Sequence, residues 1–288
     1  MKEPGGKARI GAIAFLSVIA IAFVAVATLT ISHAQLAPTE TWNQEAPIPL
    51  ADGNYSAAAV NGIIYAQGGC CSNSPTNNES FAYNPSNNSW SSEAVQPLPA
   101  FDPNVDAVVS GIIYHIGGNS NGRCTNANQA YDAVTNSWTT EASMPTPRCH
   151  LAVVALNGLV YAIGGTNTNG AFWYNNVEVY DPSTNSWTTA AAMPTARSNL
   201  AAVALNGLIY VIGGNNAGTD LAANEAYDPT TNIWTTKASM PTARSFPFAG
   251  AINGLLYVAG GSSSGNTLTT NEAYDPGADS WTTALQMP

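Results

Sequence analysis

The sequence is poor in charge. Only 9% of its 288 residues are charged, and eight are lysine or arginine. Beyond residue 34, five basic residues stand against 17 acidic ones, so the chain stays strongly acidic. Binding to nucleic acid needs a basic patch that neutralises phosphates, and this sequence has none. Nucleic acid is therefore not an expected partner.

Histidine is also scarce, with only His115 and His150 beyond residue 34. The sequence has no CxxC pair, no HExxH motif and no phosphate-binding loop. These absences argue against a zinc site and against nucleotide-dependent chemistry. We expect no metal and no cofactor, and catalysis has little support in the sequence.

The N-terminus is predicted to be a targeting segment and not part of the fold. Three basic residues precede residues 10–31, an apolar run without charge. A helix of that length is about 33 Å long, which is enough to cross a bilayer. Ser32-His33-Ala34 fits a signal peptidase site. Residues 1–34 are thus a cleaved signal peptide or an uncleaved anchor, and residues 35–40 a linker. Either one places the rest outside the membrane, secreted or anchored, with membrane contact only through an uncleaved 10–31 segment.

The chain does contain a repeat. An apolar strand with a tyrosine, followed by two glycines, occurs five times at intervals of 47 or 49 residues. In each repeat a second tyrosine comes seven residues before a tryptophan. The five pairs are Tyr83 and Trp90, Tyr131 and Trp138, Tyr180 and Trp187, Tyr227 and Trp234, and Tyr274 and Trp281. A period near 50 residues with four short strands is typical of β-propeller blades.

The fourth repeat illustrates one predicted blade. Asn206-Gly207 is a two-residue hairpin signal, because both positions of a type I′ turn need positive φ. Gly213-Gly214 then ends the second strand, where a Cβ is not tolerated or a bulge is needed. Asp228-Pro229 predicts the turn between the third strand and the outer strand, which contains Trp234. Met240-Pro241 leads to the next blade, and Leu98-Pro99 is read as the junction before the second repeat.

This pattern resembles the kelch family of β-propellers over residues 41–288. The resemblance rests on the glycine doublets and on the tyrosine and tryptophan pairs. It implies an all-β fold of five complete four-stranded blades, with Trp42 in an additional N-terminal outer strand. Two arrangements stay open: an incomplete six-bladed ring, and a closed five-bladed ring with a spare strand.

The four cysteines of this exported chain predict disulfides and not metal ligation. In a propeller, the loops after the second strands and the junctions before the first strands share one face. Cys70, Cys71, Cys124 and Cys149 therefore gather on one rim. We expect one or two disulfides, with Cys124 bonded to Cys70 or Cys71 and the exact pairing left open.

Three arginines, Arg148, Arg197 and Arg244, occupy one repeat position. Where the arginine is present, the third strand carries a glutamate: Glu178, Glu225 and Glu272. At the arginine and glutamate positions, the first repeat is read as having Asp52 and Ser80, and the second as having Phe101 and Gln129. This matched pattern predicts ion pairs. The alternative is that the arginines contact a ligand, since kelch domains can read acidic peptides with arginines near this rim.

The position two residues after the arginine varies between repeats, which is typical of recognition residues on a fixed scaffold. These candidates are Asn54, His150, Asn199 and Phe246. Phe172, Trp173 and Tyr174 form an extra aromatic cluster outside the repeat pattern. Such a cluster stacks on a sugar, anchors a peptide, or covers the edge of its own blade.

The sequence thus favours an extracytoplasmic kelch module that binds a protein or a glycan through one loop face. Two alternatives are a carbohydrate-active kelch enzyme, epimerase-like or oxidase-like, and a structural repeat fragment of a larger surface protein. The copper site of the kelch-like galactose oxidase needs several His and Tyr ligands, which the two remaining histidines do not match. The oligomeric state is not predicted.

Overall fold

The computed structural model describes residues 43–50, 53–70, 78–100 and 106–288, which form an all-β structure without helices. Five antiparallel sheets of four strands follow one another along the chain, each with its strands in sequence order. Within these ranges no helix has the length and apolar character needed to span a bilayer. The predicted signal peptide or anchor, the linker and Trp42 lie outside the described residues.

Each sheet corresponds to one predicted blade. The strands of blade 1 are Gly53–Val60, Ile63–Cys70, Ser80–Asn84 and Ser89–Glu93. Those of blade 2 are Ala107–Val109, Ile112–Ile116, Asn128–Asp132 and Ser137–Thr140. Those of blade 3 are Ala152–Leu156, Leu159–Ile163, Val177–Asp181 and Ser186–Ala190. Those of blade 4 are Ala201–Leu205, Leu208–Ile212, Asn224–Asp228 and Ile233–Thr236. Those of blade 5 are Phe248–Ile252, Leu255–Ala259, Asn271–Asp275 and Ser280–Thr283.

The predicted turns are confirmed. Asn206 and Gly207 have φ angles of 53° and 78°, as a type I′ hairpin requires, and the equivalent pairs of the other blades match. In the turn before the outer strand, the Asp228 carboxylate accepts a hydrogen bond from the Thr230 amide at 2.8 Å. Asp132 makes the same bond with Val134 at 2.8 Å without a following proline. Asn84 of blade 1 accepts the equivalent bond from the Ser86 amide at 2.9 Å, so a side-chain oxygen of Asp or Asn, and not the proline, is the common element of this turn.

The spacing between tyrosine and tryptophan follows from strand pairing. Tyr131 and Trp138 lie opposite each other on the third and outer strands of blade 2, with ring centroids 5.1 Å apart. The indole of Trp138 donates to the carbonyl of Ala94, at the end of blade 1, at 2.8 Å. The other four outer-strand tryptophans, Trp90, Trp187, Trp234 and Trp281, make the equivalent bond backward along the chain. The tryptophan thus ties each blade to the preceding segment.

A smaller motif accompanies the tryptophan. Two residues before it stands an asparagine or aspartate with positive φ: Asn88, Asn136, Asn185, Asn232 and Asp279. The Asn136 side-chain oxygen accepts one bond from the Ala94 amide at 2.7 Å and another from the Tyr131 hydroxyl at 2.9 Å. This side chain therefore joins two strands of its own blade to the neighbouring blade.

The hydrophobic core lies between successive blades. The inner strands of consecutive blades run side by side from blade 1 to blade 5. Between blades 3 and 4, for example, Ile163 and Val177 share a buried cluster with Met193 and Leu200. Tyr161 of blade 3 also meets Tyr227 of blade 4, with ring centroids 6.1 Å apart. Because each interface repeats the same contacts, the blades place equivalent residues around one axis.

The structure corrects the alignment of the first two repeats by one or two residues. Gly117 is approached by Met144 and the Arg148 carbonyl, and Gly68 is approached in the same way by Gln96 and the Ala100 carbonyl. The junction before blade 2 is therefore 96–97, and Leu98-Pro99 was the wrong match. Ala100, and not Phe101, occupies the arginine position.

The third strand of blade 1 needs the same correction. Phe81 pairs with Ala66 in the register in which Glu178 pairs with Ala162. Phe81, and not Ser80, is therefore the equivalent of the glutamate. Asp52 and Phe101 themselves lie outside the described residues.

Candidate functional site

We call one end of the propeller the loop face. It consists of the glycine doublets, the loops that follow them and the junctions before the inner strands. The amide of Gly118 donates to the Arg148 carbonyl at 3.0 Å, and Gly165 donates to Arg197 at 2.9 Å, so loops and junctions meet as predicted. Three of the loops form short hairpins: Asn119–Ser120 with Arg123–Cys124, Asn215–Asn216 with Thr219–Asp220, and Ser262–Ser263 with Asn266–Thr267.

Four predicted recognition residues lie at the inner edge of this face, and we call them the rim residues: Asn54, His150, Asn199 and Phe246. Their φ angles are 58°, 54°, 54° and 54°. The amide of Asn199 donates to the His150 carbonyl at 2.9 Å, and the amide of Phe246 donates to Asn199 at 2.8 Å. Backbone bonds thus link the rim from blade 3 to blade 5 around the axis. The equivalent residue of blade 2, Asp102, lies outside the described residues.

The backbone at the rim is strained for most residue types. A left-handed φ costs a residue with a Cβ on the order of 1–2 kcal/mol, and asparagine tolerates it best. Histidine is also enriched at positive φ, but Phe246 has no such tolerance and occupies this conformation where glycine would avoid the strain. Strain of this kind is concentrated at functional sites. Residues with a Cβ also adopt positive φ in turns elsewhere in the chain, so the strain at Phe246 in particular makes the rim a candidate site.

The rim side chains approach one another across blades. The rings of His150 and Phe246, from blades 3 and 5, meet edge to face with centroids 6.2 Å apart. Phe246 is 36% exposed. The side-chain oxygen of Asn199, in the blade between them, is buried and accepts no hydrogen bond from the described residues. The rim thus offers an aromatic surface next to an unused acceptor.

Next to the rim lies the aromatic arm, which is Phe172, Trp173 and Tyr174. Trp173 pairs with Thr166, and Thr166 pairs with Cys149, which directly precedes His150. The rings of Phe172 and Tyr174 meet edge to face at 4.9 Å, and Phe172 is 56% exposed. Two strand spacings separate Cys149 from Trp173, which amounts to about 10 Å. The fold therefore brings the aromatic arm and the rim to the same side of the loop face.

The three arginines form the predicted ion pairs, each within its own blade. The guanidinium-to-carboxylate distances are 2.9 Å for Arg148 with Glu178, 2.7 Å for Arg197 with Glu225 and 2.8 Å for Arg244 with Glu272. A threonine hydroxyl completes each pair, as Thr195 donates to Glu225 at 2.7 Å. The guanidinium groups also donate to backbone carbonyls, such as that of Val211 at 3.1 Å.

These ion pairs are deeply buried. All three arginines are 0% exposed, and their glutamates are nearly as buried. Burial lowers the pKa of each arginine from its usual value, while the charge of the paired glutamate opposes that shift. The pairing interpretation is confirmed. It follows that the three arginines place no free positive charge on the loop face.

A disulfide joins blades 2 and 3 on this face. It connects Cys124 to Cys149, whose Cα atoms are 5.0 Å apart. The predicted pairing of Cys124 with Cys70 or Cys71 was therefore wrong. Each loop contacts the junction before the following blade, so Cys124 of blade 2 lies next to the start of blade 3. Cys71 and the side chain of Cys70 lie outside the described residues.

We expect the disulfide to stabilise the protein. Replacing Cys124 and Cys149 together by serine should lower the free energy of unfolding by about 2–4 kcal/mol, because the crosslink restricts the unfolded chain. Urea denaturation of the oxidised wild type and of the double variant measures this difference. Mass spectrometry without reductant should find the pair bonded, and free thiols at both positions in protein kept under oxidising conditions would contradict the assignment.

A buried polar cluster between blades 1 and 2 was missed by the sequence analysis. The Ser56 hydroxyl lies 2.8 Å from Asp106 and 3.1 Å from Nδ1 of His115, and that same Nδ1 lies 3.0 Å from Asp106. A catalytic triad uses one imidazole nitrogen for the serine and the other for the aspartate. Here one nitrogen serves both, and all three residues are buried. The cluster therefore links the two blades through buried hydrogen bonds.

One sequence match to a hydrolase motif is not supported by the local fold. Residues 261–265 fit the pattern GxSxG. That motif places its serine on a sharp turn between a strand and a helix. Here Ser263 ends the first strand of a short hairpin instead. Across the described ranges, no group of three His, Cys, Asp or Glu side chains is arranged to hold a metal ion.

Comparison with known families agrees with the repeat pattern. The family model of the KLHDC2/KLHL20/DRC7 Kelch-repeats domain matches residues 54–240, and the Kelch motif matches residues 243–288. The chain belongs to the kelch-repeat family. Kelch propellers commonly mediate protein interactions, so membership supports a protein-binding module in general terms.

Known proteins add evidence on the fold of this kelch propeller. A solved structure described as "Structure of YjhT" is similar to it with a TM-score of 0.72 and 20% sequence identity. The similarity covers 84% of this chain and 86% of the other. At that identity the similarity concerns the fold alone. No curated protein matches the chain.

Proposed function

We propose that this kelch propeller is an extracytoplasmic binding module that holds a protein or glycan ligand on its loop face. The observation that carries the proposal is the rim, where backbone bonds link His150, Asn199 and Phe246 across three blades and the partly exposed Phe246 ring meets His150. Propeller folds commonly bind ligands where loops of all blades meet around the axis. The basic N-terminal flank, the apolar segment and the disulfide support an extracytoplasmic location.

The chemistry of the loop face favours an uncharged ligand surface. Among the described residues of the rim, the aromatic arm and the loop hairpins, only Arg123 and Asp220 carry charge. Asp220 is already engaged, since it accepts bonds from the Asn215 side chain at 3.1 Å and from the Ser264 amide at 2.8 Å. Amide, hydroxyl and aromatic groups dominate the rest of the surface.

Binding selection with matched variants tests this proposal. The mature protein would be screened against an immobilised glycan array and a displayed random peptide library. Selected ligands should lose at least about tenfold in affinity for Phe246→Gly and for Trp173→Ala, because both remove aromatic contact area. The control is Val134→Ser, which changes an 86% exposed apolar residue in a turn at the opposite end of its blade.

Two outcomes would contradict the proposal. One is that selected ligands bind wild type and both loop-face variants equally. The other is that Val134→Ser abolishes binding while the loop-face variants do not, which would move the binding surface to the other face.

A further inference from the structure

We propose that the ligand of the loop face is an uncharged carbohydrate chain, one sugar of which lies on His150, Asn199 and Phe246 while the chain extends toward the aromatic arm. This inference rests on the proposed binding role and names the class of ligand. It uses three observations: the unused acceptor of Asn199, the two separate aromatic surfaces and the neutralised arginines.

The rim matches hydroxyl groups. The Asn199 side-chain oxygen is buried and accepts no hydrogen bond from the described residues, so it is available to a donor from a ligand or from water. A side-chain amide offers a donor and an acceptor together, and a hydroxyl group does the same. Neighbouring sugar hydroxyls therefore match both hydrogen-bonding groups of the Asn199 amide.

The aromatic groups match the apolar faces of sugar rings. Phe246 is 36% exposed, and its ring is held by edge contact with His150. Phe172 is 56% exposed and is held in the same way by Tyr174. Rigid aromatic rings bury area at little entropic cost. By strand spacing, Trp173 of the arm lies about 10 Å from Cys149, which directly precedes rim residue His150. A ligand that contacts both His150 and the arm therefore needs more than one sugar unit.

The charge distribution argues for a neutral chain. Arg148, Arg197 and Arg244, which would bind carboxylates, are 0% exposed and bonded to glutamates. A carboxylate of an acidic sugar or an acidic peptide would lose its hydration on binding without forming an ion pair with these arginines. Protein interfaces are enriched in clustered aromatic residues, methionine and arginine at their centre. The described residues of the rim, the aromatic arm and the loop hairpins include no methionine and Arg123 alone among arginines, and amide and hydroxyl groups surround the aromatic rings, which favours the carbohydrate.

Calorimetric titration of the mature protein tests this assignment. The probes are neutral hexasaccharides of glucose, galactose, mannose and N-acetylglucosamine, with hexagalacturonate as the acidic match. We expect at least one neutral chain to bind, and hexagalacturonate to bind at least about tenfold more weakly than that chain. Asn199→Gly and Phe246→Gly should each weaken binding by about tenfold or more, with an equal or higher melting temperature, because glycine relieves the left-handed strain.

The control variant is Asn206→Gly. Asn206 has a φ of 53° in a hairpin at the end of the blade away from the loop face. It undergoes the same chemical change as Asn199→Gly and should leave affinity within about twofold of wild type. A role of Asn199 in folding alone would instead lower the melting temperature and leave the affinity unchanged.

The outcomes separate this inference from the general binding role. If no neutral hexasaccharide binds, but a peptide from a random library binds and is lost in Phe246→Gly, the carbohydrate assignment is wrong and the binding module stands. Binding of hexagalacturonate as tight as that of the neutral chains also overturns the assignment. If neither sugars nor peptides depend on the rim, both proposals fail.

Discussion

Glu225→Ala should lower the free energy of unfolding by about 3–5 kcal/mol, the largest effect expected from one side chain in this protein. The substitution leaves Arg197 as a buried cation, since its carboxylate partner at 2.7 Å is gone. It also removes the acceptor of the Thr195 hydroxyl. For a domain of this size the melting temperature should fall by roughly 6–20 °C. Thermal unfolding followed by circular dichroism measures the shift.

Blade 2 supplies the control for this prediction. It lacks the arginine and has Gln129, whose amide exchanges hydrogen bonds with Leu98 at 2.8 and 3.1 Å. The double variant Arg197→Met with Glu225→Gln removes both charges and should destabilise less than Glu225→Ala alone, because no buried charge is left unpaired. If the double variant lowers the free energy of unfolding as much as Glu225→Ala or more, packing and not charge pairing explains the effect.

Gly164→Ala should destabilise the protein by about 3 kcal/mol or more. Gly164 has a φ of +64°, and a Cβ there would lie 2.6 Å from the carbonyl oxygen of Arg197. The backbone conformation and the overlap with a neighbouring blade both oppose the methyl group. Because that carbonyl accepts the amide of Gly165 at 2.9 Å, it cannot move without breaking a bond between blades. Urea denaturation of the variant gives the change in free energy.

Gly158 separates the two causes. Its φ of +79° is also left-handed, but a Cβ there would meet no atom within 4 Å. Gly158→Ala should therefore cost only about 1 kcal/mol, the price of the backbone strain. If Gly164→Ala and Gly158→Ala lower the free energy of unfolding equally, close packing between blades does not explain why the doublet needs glycine at position 164.

The repeat made most of this fold predictable from sequence. Glycine doublets, hairpin pairs and the spacing of Tyr131 and Trp138 each reflect a local backbone requirement, so five copies in phase define strand order and register. The ion pairs were also predictable, because three repeats have both the arginine and the glutamate and the two other repeats have neither. In blades 1 and 2 that pattern was read one residue out of register, since no arginine there anchors the alignment at Ala100.

The candidate site was less accessible to sequence reasoning. The variable position identified four residues that lie at the rim, but the strain at Phe246 depends on a φ angle that no residue pattern in this chain reveals. The disulfide partner of Cys124 depended on which neighbouring blade its loop contacts. The cluster of Ser56, Asp106 and His115 comes from two blades, and each residue alone looks like an ordinary strand position.

The tryptophan bonds give assembly of the propeller a direction. The carbonyl of Ala94 ends blade 1, but the indole that binds it belongs to Trp138, 44 residues later in the chain. At ribosomal rates of about 5–20 residues per second, blade 1 waits roughly 2–9 s before that bond can form. During synthesis or export, the most recently completed blade is thus always the least secured one. Its outer strand is where a chaperone or a protease would find exposed backbone.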